Sequence, residues 1–443
     1  MLKTETFAKL FFLVSCTGLL MYVVLAFYTF HTAYTSISQV QKFRERIQNN
    51  STTDALLEDR FTNDLKYILL WPIANVTNKL VEDGQSVFIN YNCTYINCYL
   101  TSNKYLLNGD YRNFEAIILN ASIFTTWDEK NIPDRRSARQ KFVFYSELPS
   151  DSAPMCNICA ENYFNWTWTY KLSSDILRPL IEVRNLKNEI VAPNENVKWL
   201  TEVTDSRKSN KNFEMGRTKK DVACIINNCH TKNDTIEYAK KLKSILDQKA
   251  LVVDIYGCEF LKCSNDCLNE IKNNYYFYLV HEDSFAIDYV SAEVIKAYDS
   301  GAIPIIMGGA NYQKFLPDGS YINARNLTVY KLAETIESII ESPSKYNSFH
   351  SWRQHYVIKR TRQLEGICDL CSNLNNKRLF KTRTAVRNFR HWWYYGSKFE
   401  NCKIEPDPSE RTRLTLKESD LKSYFYGLKK KYRLQSKDDY MYS

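Results

Sequence analysis

The stretch Tyr275–Phe315 constrains the fold more than any other part of this 443-residue chain. An apolar run, Tyr276–Val280, ends in a polar cluster at residues 281–284, and a segment with helical periodicity follows over residues 288–299. A second apolar run, Ala302–Met307, then ends in two glycines. Strand, polar loop, helix, strand and glycine turn follow each other in this order where an α/β domain forms a ligand site at the carboxyl ends of its strands.

Apolar runs alternate with polar or amphipathic segments on both sides of this stretch. Some of them predict strands of a first α/β domain: Tyr67–Trp71, Ala116–Leu119 and Lys141–Tyr145. Others predict strands of a second domain: Val222–Ile226 and Leu251–Tyr256. Helices are predicted from about Asp234 to Gln248 and after Thr328, whose hydroxyl is suited to an N-cap. The polar segment Val183–Gly216 predicts an inter-domain connection, and the repeated β–α units predict a parallel sheet covered by helices.

A long apolar segment lies near the N-terminus. Leu10–Phe30 is a run of 21 residues without Asp, Glu, Lys, Arg or His. At about 1.5 Å per residue, a helix of this length spans roughly 30 Å, the thickness of the hydrocarbon core of a bilayer. The run exceeds the apolar part of a cleaved signal peptide, and no small-x-small site follows it. We therefore predict a transmembrane signal-anchor, followed by a polar stem over residues 31–62.

Cysteines and glycosylation sequons predict the side of the membrane on which the body lies. Of the 13 cysteines, Cys16 lies in the predicted span and an even number follows it, which suits disulfides in an oxidising lumen. Zinc binding by close pairs such as Cys156 and Cys159 is the alternative. Sequons follow the span at Asn49, Asn50, Asn75, Asn92, Asn120, Asn165, Asn233 and Asn326. These features favour a lumenal body, as in a Golgi enzyme; a cell-surface protein would show the same pattern.

The charge pattern and the missing motifs exclude several classes of function. The 59 basic and 50 acidic residues are interleaved, and no basic stripe with intervening aromatic residues indicates nucleic acid as a partner. No D-x-D motif is present, which argues against a metal-dependent sugar transferase and predicts no metal site. The charged tail after Cys402 is interpreted as a solvated helix rather than a basic patch for a membrane or a partner.

Several short blocks occur in a fixed order along the chain. The blocks in and just after Tyr275–Phe315 read FYLVHEDS, DYVSAE, GAIPIIMG and YQKFLP. Further blocks read VDIYGC followed by Lys262-Cys263, Asn228-Cys229 followed by Glu237-Tyr238, SELP at 146–149, FNWT at 164–167, and Cys368-x-x-Cys371. Together they resemble the blocks of the α1,3-fucosyltransferases, glycosyltransferase family ten, and the resemblance covers most of Ile68–Cys402.

This resemblance implies an α/β fold of two Rossmann-like domains that face a cleft (GT-B type), on a single N-terminal transmembrane helix. It implies an inverting, metal-independent α1,3 transfer of fucose from GDP-fucose to a glycan on a glycoprotein or glycolipid, without a cofactor. The expected location is the Golgi membrane, as a single-pass type II protein. The expected parts are a cytoplasmic tail (1–9), the signal-anchor (10–30), the stem (31–62), an acceptor-side domain (63–200), a GDP-fucose-binding domain (201–365) and a C-terminal segment with a charged tail (366–443).

The resemblance also implies roles for single residues. Glu147 follows an apolar strand, so we expect it to lie at a strand end and to act as the general base, although a glutamate in this position could also be an ordinary surface residue. The expected donor-binding residues are Asn228, Tyr256, Glu282, Ser284, Tyr289, Ser291 and Lys296. The alternative for Tyr289 is a core aromatic. The disulfide candidates are Cys93, Cys98, Cys258, Cys263, Cys368 and Cys371.

The chain departs from the family pattern at several positions: His281-Glu282-Asp283 stands where the family has F-E-N, and three expected donor-site residues are replaced. Ala292 and Glu293 stand where the family has a glutamate and a lysine, and Thr235 stands where it has a phosphate-contacting arginine. A unit charge at about 4 Å is worth roughly 4 kcal/mol at an effective dielectric near 20, so these changes weaken the expected donor affinity. Candidate replacements for the lost positive charge are Lys296, Lys232 and His281. The alternative function is therefore a catalytically silent relative that binds a glycan or a partner enzyme.

Overall fold

The structure, a computed structural model, contains two parallel β-sheets, a small antiparallel sheet and helices packed on the sheet faces. It describes residues 19–27, 65–71, 83–124, 132–133, 135–137, 139–155, 160–200, 220–226, 235–263, 267–272, 274–382, 385–386 and 388–394. A parallel sheet brings the carboxyl ends of its strands to one edge, and the loops at that edge form the binding sites of α/β proteins.

The first sheet is built from six parallel strands. Their bounds are β1 Lys66–Leu70, β2 Cys98–Thr101, β3 Ala116–Asn120, β4 Lys141–Ser146, β5 Trp166–Thr169 and β6 Ile176–Leu177. The spatial order is β2-β1-β3-β4-β5-β6, and every residue of β4 is buried because chain covers both faces of the sheet. The three strands predicted here are confirmed as β1, β3 and β4.

The second sheet is built from five parallel strands. Their bounds are β9 Lys220–Ile225, β10 Val253–Tyr256, β11 Tyr275–His281, β12 Ile303–Met307 and β13 Ile322–Asn323. The spatial order is β10-β9-β11-β12-β13, which confirms the four strands predicted from Val222 to Met307 with small shifts at their ends. The central strand is β11, so the polar cluster 281–284 lies in the middle of the carboxyl edge.

Helices connect and cover the strands. Their bounds are α1 Ser86–Asn90, α2 Thr235–Asp247, α3 Cys267–Ile271, α4 Glu293–Asp299, α5 Val329–Ile340, α6 Pro343–Ser348, α7 Ile367–Asn375, α8 Lys377–Lys381 and α9 Phe389–Tyr394. Helix α2 agrees with the helix predicted from about Asp234. Helix α5 begins where it was expected, because the hydroxyl of Thr328 accepts a hydrogen bond from the N–H of Lys331 at 3.2 Å.

The prediction of one helix over residues 288–299 is wrong in its first part, because α4 begins only at Glu293. Asp288 has a φ of 66°, which lies in the left-handed region and interrupts a right-handed helix. The N–H of Ser291 donates to the carboxylate of Glu282 instead of serving a helix. The segment before α4 is therefore a loop shaped by a tertiary contact, which periodicity does not reveal.

The C-terminal part of the chain covers both faces of the first sheet. On one face, Ile367 and Leu370 of α7 pack in one apolar cluster with Ile118 of β3. On the other face, Phe389 and Trp393 of α9 join the cluster that contains β4 residues. The rings of Trp393 and Phe144 meet edge to face at 4.9 Å between centroids. The core of the first sheet is thus completed by residues that follow the second sheet in sequence.

The predicted inter-domain connection contains regular structure that polar composition conceals. Two short strands, β7 Ile181–Asn185 and β8 Ile190–Ala192, pair antiparallel with β14 Tyr356–Arg360. The predicted inter-domain connection over Val183–Gly216 therefore contains strand residues at its beginning. The buried face of this small sheet and α4 pack in one apolar cluster against one face of the second sheet, and α2 and α5 cover the other face.

Disulfides join the two ends of the folded body. Cys93 is bonded to Cys368 and Cys98 to Cys371, so both bridges connect the region of β2 with α7. A third bridge joins Cys263 and Cys267, and Cys258 is also disulfide-bonded. All six disulfide candidates are therefore confirmed as bridged. The even cysteine count does not mean complete pairing, because Cys224 is a free thiol buried in β9.

The N-terminal predictions fall mostly outside the described residues. Residues 19–27 are helical, and among the described residues no helix is both long and apolar enough to qualify as a membrane span. The predicted stem and the charged tail after Cys402 lie outside the described part of the chain. Of the sequon asparagines, Asn92 and Asn326 are exposed, whereas Asn120 and Asn165 are partly buried. Asn49, Asn50, Asn75 and Asn233 lie outside the described residues.

The paired bridges lead to a prediction about stability. When alanine replaces Cys98 and Cys371, the bridge Cys93–Cys368 still closes the long loop, whose ends are 275 residues apart in sequence. Only the small ring between the two bridges is then opened. We expect that loss to cost about 2 kcal/mol of unfolding free energy. Removal of all four cysteines should cost clearly more than twice as much, because the long loop is then released.

Denaturant unfolding of the full chain, purified in detergent without reductant, measures these differences. Removal of Cys263 and Cys267, which are four residues apart, is the matched control. It should lower the free energy of unfolding about as much as removal of Cys98 and Cys371 alone. Strictly additive losses for the two long-range bridges would contradict the loop argument.

Candidate active site

The loops at the carboxyl edges of the two parallel sheets contact each other. The hydroxyl of Ser284, after β11, donates to Asp151, which lies in the loop after β4. Asp288 accepts a hydrogen bond from the N–H of Leu172, beyond β5, at 3.1 Å. These contacts bring the predicted donor side and the predicted acceptor side together at one place.

Glu147 lies directly after β4, at the carboxyl edge of the first sheet. Its side chain is 46% exposed, and its Oε1 accepts hydrogen bonds from the hydroxyl of Tyr145 and from Nη2 of Arg178, the latter at 2.8 Å. Among the described residues, none donates to Oε2. The carboxylate is thus held through one oxygen and open through the other, an arrangement that is compatible with a general base.

Glu282 is the most strongly perturbed acid of the site. Its side chain is completely buried, and both carboxylate oxygens accept from the N–H of Ser291 at 3.1 Å. Burial raises its pKa to about 8, against the weaker opposing effect of the Ser291 hydrogen bonds. Gly308 is required beside it, because a Cβ there would lie 2.7 Å from Cγ of Glu282 and 2.2 Å from the hydroxyl of Tyr312.

The lysine that was expected to supply positive charge beside α4 already forms an ion pair. Nζ of Lys296 lies 2.7 Å from a carboxylate oxygen of Glu293, one turn earlier on the same helix. Ala292 at the N-cap provides no side-chain hydrogen bond. His281 does not supply a replacement, because burial lowers its pKa and so favours the neutral ring. Lys232, the other candidate replacement, lies outside the described residues.

The other predicted donor residues have different surroundings. Tyr289 is buried and packs edge to face on Tyr170 at 5.3 Å, so it lies in the contact between the two sheets' loops. The hydroxyl of Tyr256 is 2.8 Å from that of Tyr275, inside the second domain. Ser284 and Ser291 belong to the loop after β11, and Asn228 lies outside the described residues. The predicted residues that lie in loops directly after β4 and β11 are Glu147, Glu282, Ser284, Tyr289 and Ser291, whereas Lys296 lies on α4.

Sequence reasoning missed two cations of this site, Arg178 and Lys171. Arg178 follows β6 and Lys171 lies just beyond β5, and both are at least 95% buried. Burial lowers the pKa of Lys171 to about 8, although the carboxylates of Asp288 and Asp151 favour its charged form. Both cations lie just after a strand, and recognising the two strands in the sequence would have made them candidates. However, β5 and β6 are too short to be recognised from an apolar pattern.

Two family sequence profiles match this chain. The one described as "Fucosyltransferase, N-terminal" matches residues 63–181, and the one described as "Glycosyltransferase family 10 (fucosyltransferase) C-term" matches residues 215–392. The two matches contain the first and the second parallel sheet, respectively. The chain therefore belongs to the glycosyltransferase family 10 fucosyltransferases.

Individual proteins with fucosyltransferase names are also similar to this chain. Alpha-(1,3)-fucosyltransferase C of Drosophila melanogaster is 26% identical over 363 residues, which cover 80% of each chain. Glycoprotein 3-alpha-L-fucosyltransferase A of the same organism is 28% identical, over 76% of this chain and 62% of that protein. A solved alpha1,3-fucosyltransferase is similar with a TM-score of 0.43 at 14% identity, over 73% of this chain and 93% of that one.

The buried acid leads to a prediction about pH. The pKa of Glu282 rises from an ordinary 4.5 to about 8 on folding, so between these values the unfolded chain releases a proton that the folded protein keeps. Stability is therefore lost as the pH rises through this window. Glu282→Gln cannot ionise and keeps an oxygen for Ser291, so its melting temperature should exceed that of the wild type increasingly from about pH 5 to about pH 8.

Thermal unfolding at several pH values measures this gap. Glu341→Gln, at an exposed position on the second domain, is the control and should show no growing gap. A gap for Glu282→Gln that does not change with pH would show that the buried carboxyl is not the group that titrates.

Proposed function

We propose that this protein transfers fucose from GDP-fucose to a hydroxyl of a glycan acceptor, with inversion, without a metal ion and through an α1,3 linkage. The observation that carries the proposal is Glu147, a carboxylate at the carboxyl edge of the first sheet with one oxygen held and the other open. Membership in the fucosyltransferase family and the loop that follows β11 support the choice of donor.

Glu147 serves as the general base in this reaction. The acceptor hydroxyl gives its proton to Oε2 of Glu147 while its oxygen forms the bond to C1 of fucose. The bond from C1 to the GDP oxygen breaks, and its electron pair leaves with GDP. One positioned carboxylate is sufficient for this inverting displacement, and such a base contributes a factor of about 10²–10⁴ to the rate.

The donor lies at the carboxyl edge of the second sheet, between the loop after β11 and the glycine turn after β12. Gly309 permits this arrangement, because a Cβ there would lie 1.8 Å from the carbonyl oxygen of Phe285. The tight approach keeps the two loops together as one surface for the nucleotide. The cations nearest to this edge are Lys296, which is partly exposed and paired with Glu293, and Lys171, which is buried.

We also propose that the body lies in the Golgi lumen, anchored as a type II protein by residues 10–30. The bridges Cys93–Cys368 and Cys98–Cys371 support an oxidising compartment. The exposed sequons at Asn92 and Asn326 are compatible with glycosylation there.

A second candidate function is a catalytically silent relative that binds a glycan or a partner enzyme. One observation favours it: the pairing of Lys296 with Glu293 leaves the start of α4 without net positive charge. A diphosphate requires cations or free backbone amides, and an acidic residue in the first helical turn opposes its binding. The two candidates differ in whether the protein binds GDP.

The base assignment is tested by Glu147→Gln. The amide keeps an oxygen for Arg178 but cannot take a proton, so we expect transfer to fall by a factor of about 10²–10⁴ while GDP binding stays unchanged. GDP release with a glycan acceptor measures turnover, and calorimetric titration with GDP measures binding. The exposed Glu189→Gln is the control. Equal turnover in Glu147→Gln would place the base elsewhere, and no GDP binding by the wild type would favour the silent relative.

The role of the reversed charge is tested by Glu293→Lys. The change supplies a cation at the start of α4 and frees Lys296 from its partner, so GDP should bind about tenfold more tightly or better. Glu334→Lys is the matched control, because Glu334 pairs with Lys331 over the same helical spacing at an exposed place on α5. The idea fails if calorimetry shows no tightening, or the same tightening for both variants.

A further inference from the structure

Arg178 is a buried cation that contacts one oxygen of Glu147, and no task in the reaction has so far been assigned to it. It is 5% exposed and follows β6 directly, at the same edge of the first sheet as Glu147. Its Nη2 donates to Oε1 of Glu147 at 2.8 Å. A buried guanidinium is costly without a carboxylate partner, and Glu147 is the carboxylate that lies within ion-pair distance among the described residues.

The guanidinium of Arg178 is held from a second side. Its Nε and Nη2 donate to the carbonyl oxygen of Gln363 at 3.1 Å and 2.9 Å. Its centre also lies 5.7 Å from the ring of Tyr145, whose hydroxyl donates to the same Oε1 of Glu147. Arginine is suited to this place because its planar fork can serve two acceptors at once, which the single ammonium of a lysine does less well.

The segment that supplies Gln363 is itself fixed to the first sheet. The hydroxyl of Thr361 donates to the carbonyl oxygen of Pro179 at 2.6 Å, and Nε1 of Trp168 donates to the carbonyl oxygen of Glu365 at 2.8 Å. Helix α7 follows at once, with the two long-range disulfides. The position of Arg178 therefore depends on a segment that reaches the first sheet only after the second sheet is complete.

We propose that Arg178 is the positioning residue of the general base. It holds Oε1 of Glu147, so that Oε2 is the oxygen that receives the acceptor proton. This inference rests on the proposed function, because it assigns the orientation of the base in that reaction. Arg178 is buried and acts through Glu147, so its loss affects the chemical step and leaves donor binding as it is.

The test uses Arg178→Ala in the full chain, purified in detergent, with GDP-fucose and a glycan acceptor. We expect kcat to fall about a hundredfold, with KM for GDP-fucose and the Kd of GDP within about twofold of the wild type. Guanidinium ion at millimolar concentration should restore about a tenth or more of the lost rate, because it fills the vacated site. It should restore nothing in Glu147→Gln. Arg184→Ala, which removes the pair with Glu182, is the matched control and keeps full activity.

A second variant covers the case in which the alanine variant does not fold. Arg178→Lys keeps the buried charge but loses the fork between Gln363 and Glu147, so it should fold and show a kcat about tenfold below the wild type. Three results would overturn the inference: kcat within about twofold of the wild type in both variants, a parallel loss of GDP binding, or a lost rate that guanidinium does not restore.

The proposed function and this inference fail in different ways. If Glu147→Gln keeps its turnover, the assignment of the base is wrong and the role of Arg178 falls with it. If Glu147→Gln is inactive while both Arg178 variants are fully active, the proposed function stands and only the positioning role is wrong.

Discussion

The first sheet depends on segments that lie after the second sheet in the sequence. Helix α7 packs on one of its faces and α9 on the other, and two disulfides fix α7 beside β2. Parallel sheets are stable only when both faces are covered, so this contact is a condition for the first sheet to exist. The same returning chain supplies the carbonyl group that orients Arg178, and through it Glu147. The same segment therefore stabilises the first sheet and positions the proposed general base.

The contact between the two sheets' loops is dominated by acids rather than bases. Glu282 is completely buried, and burial raises the pKa of Asp283 and of Asp288 as well. Glu293 neutralises the lysine nearest to it on α4. If this site holds a diphosphate, as proposed, the negative charges weaken its binding unless protonation of the buried acids lowers the negative charge. Burial favours that protonation, because it raises the pKa of each of these acids.

The sequence predicts the fold better than the site. Long apolar runs mark β3, β4, β11 and β12, because a strand buried on both faces needs apolar side chains throughout. Strands β5 and β6 escape notice because β6 has only two residues and β5 alternates tryptophan with threonine over four residues. The start of α4 is also hidden, because Glu282 takes the N–H of Ser291 through a contact made only in the folded protein. Likewise, Gln363 lies 185 residues from Arg178, and no local pattern links them.

The late covering of the first sheet has a consequence for how a ribosome makes this protein. When the strands of the second sheet have emerged, the six strands of the first sheet have been synthesised, but α7 and α9, which complete the cover of its two faces, have not. Domain-by-domain folding from the N-terminus, which is usual during synthesis, is therefore not open to the first sheet. The core of the first sheet is completed only when α7 and α9 have been synthesised, so a chain that ended before α7 would leave apolar residues of this sheet exposed.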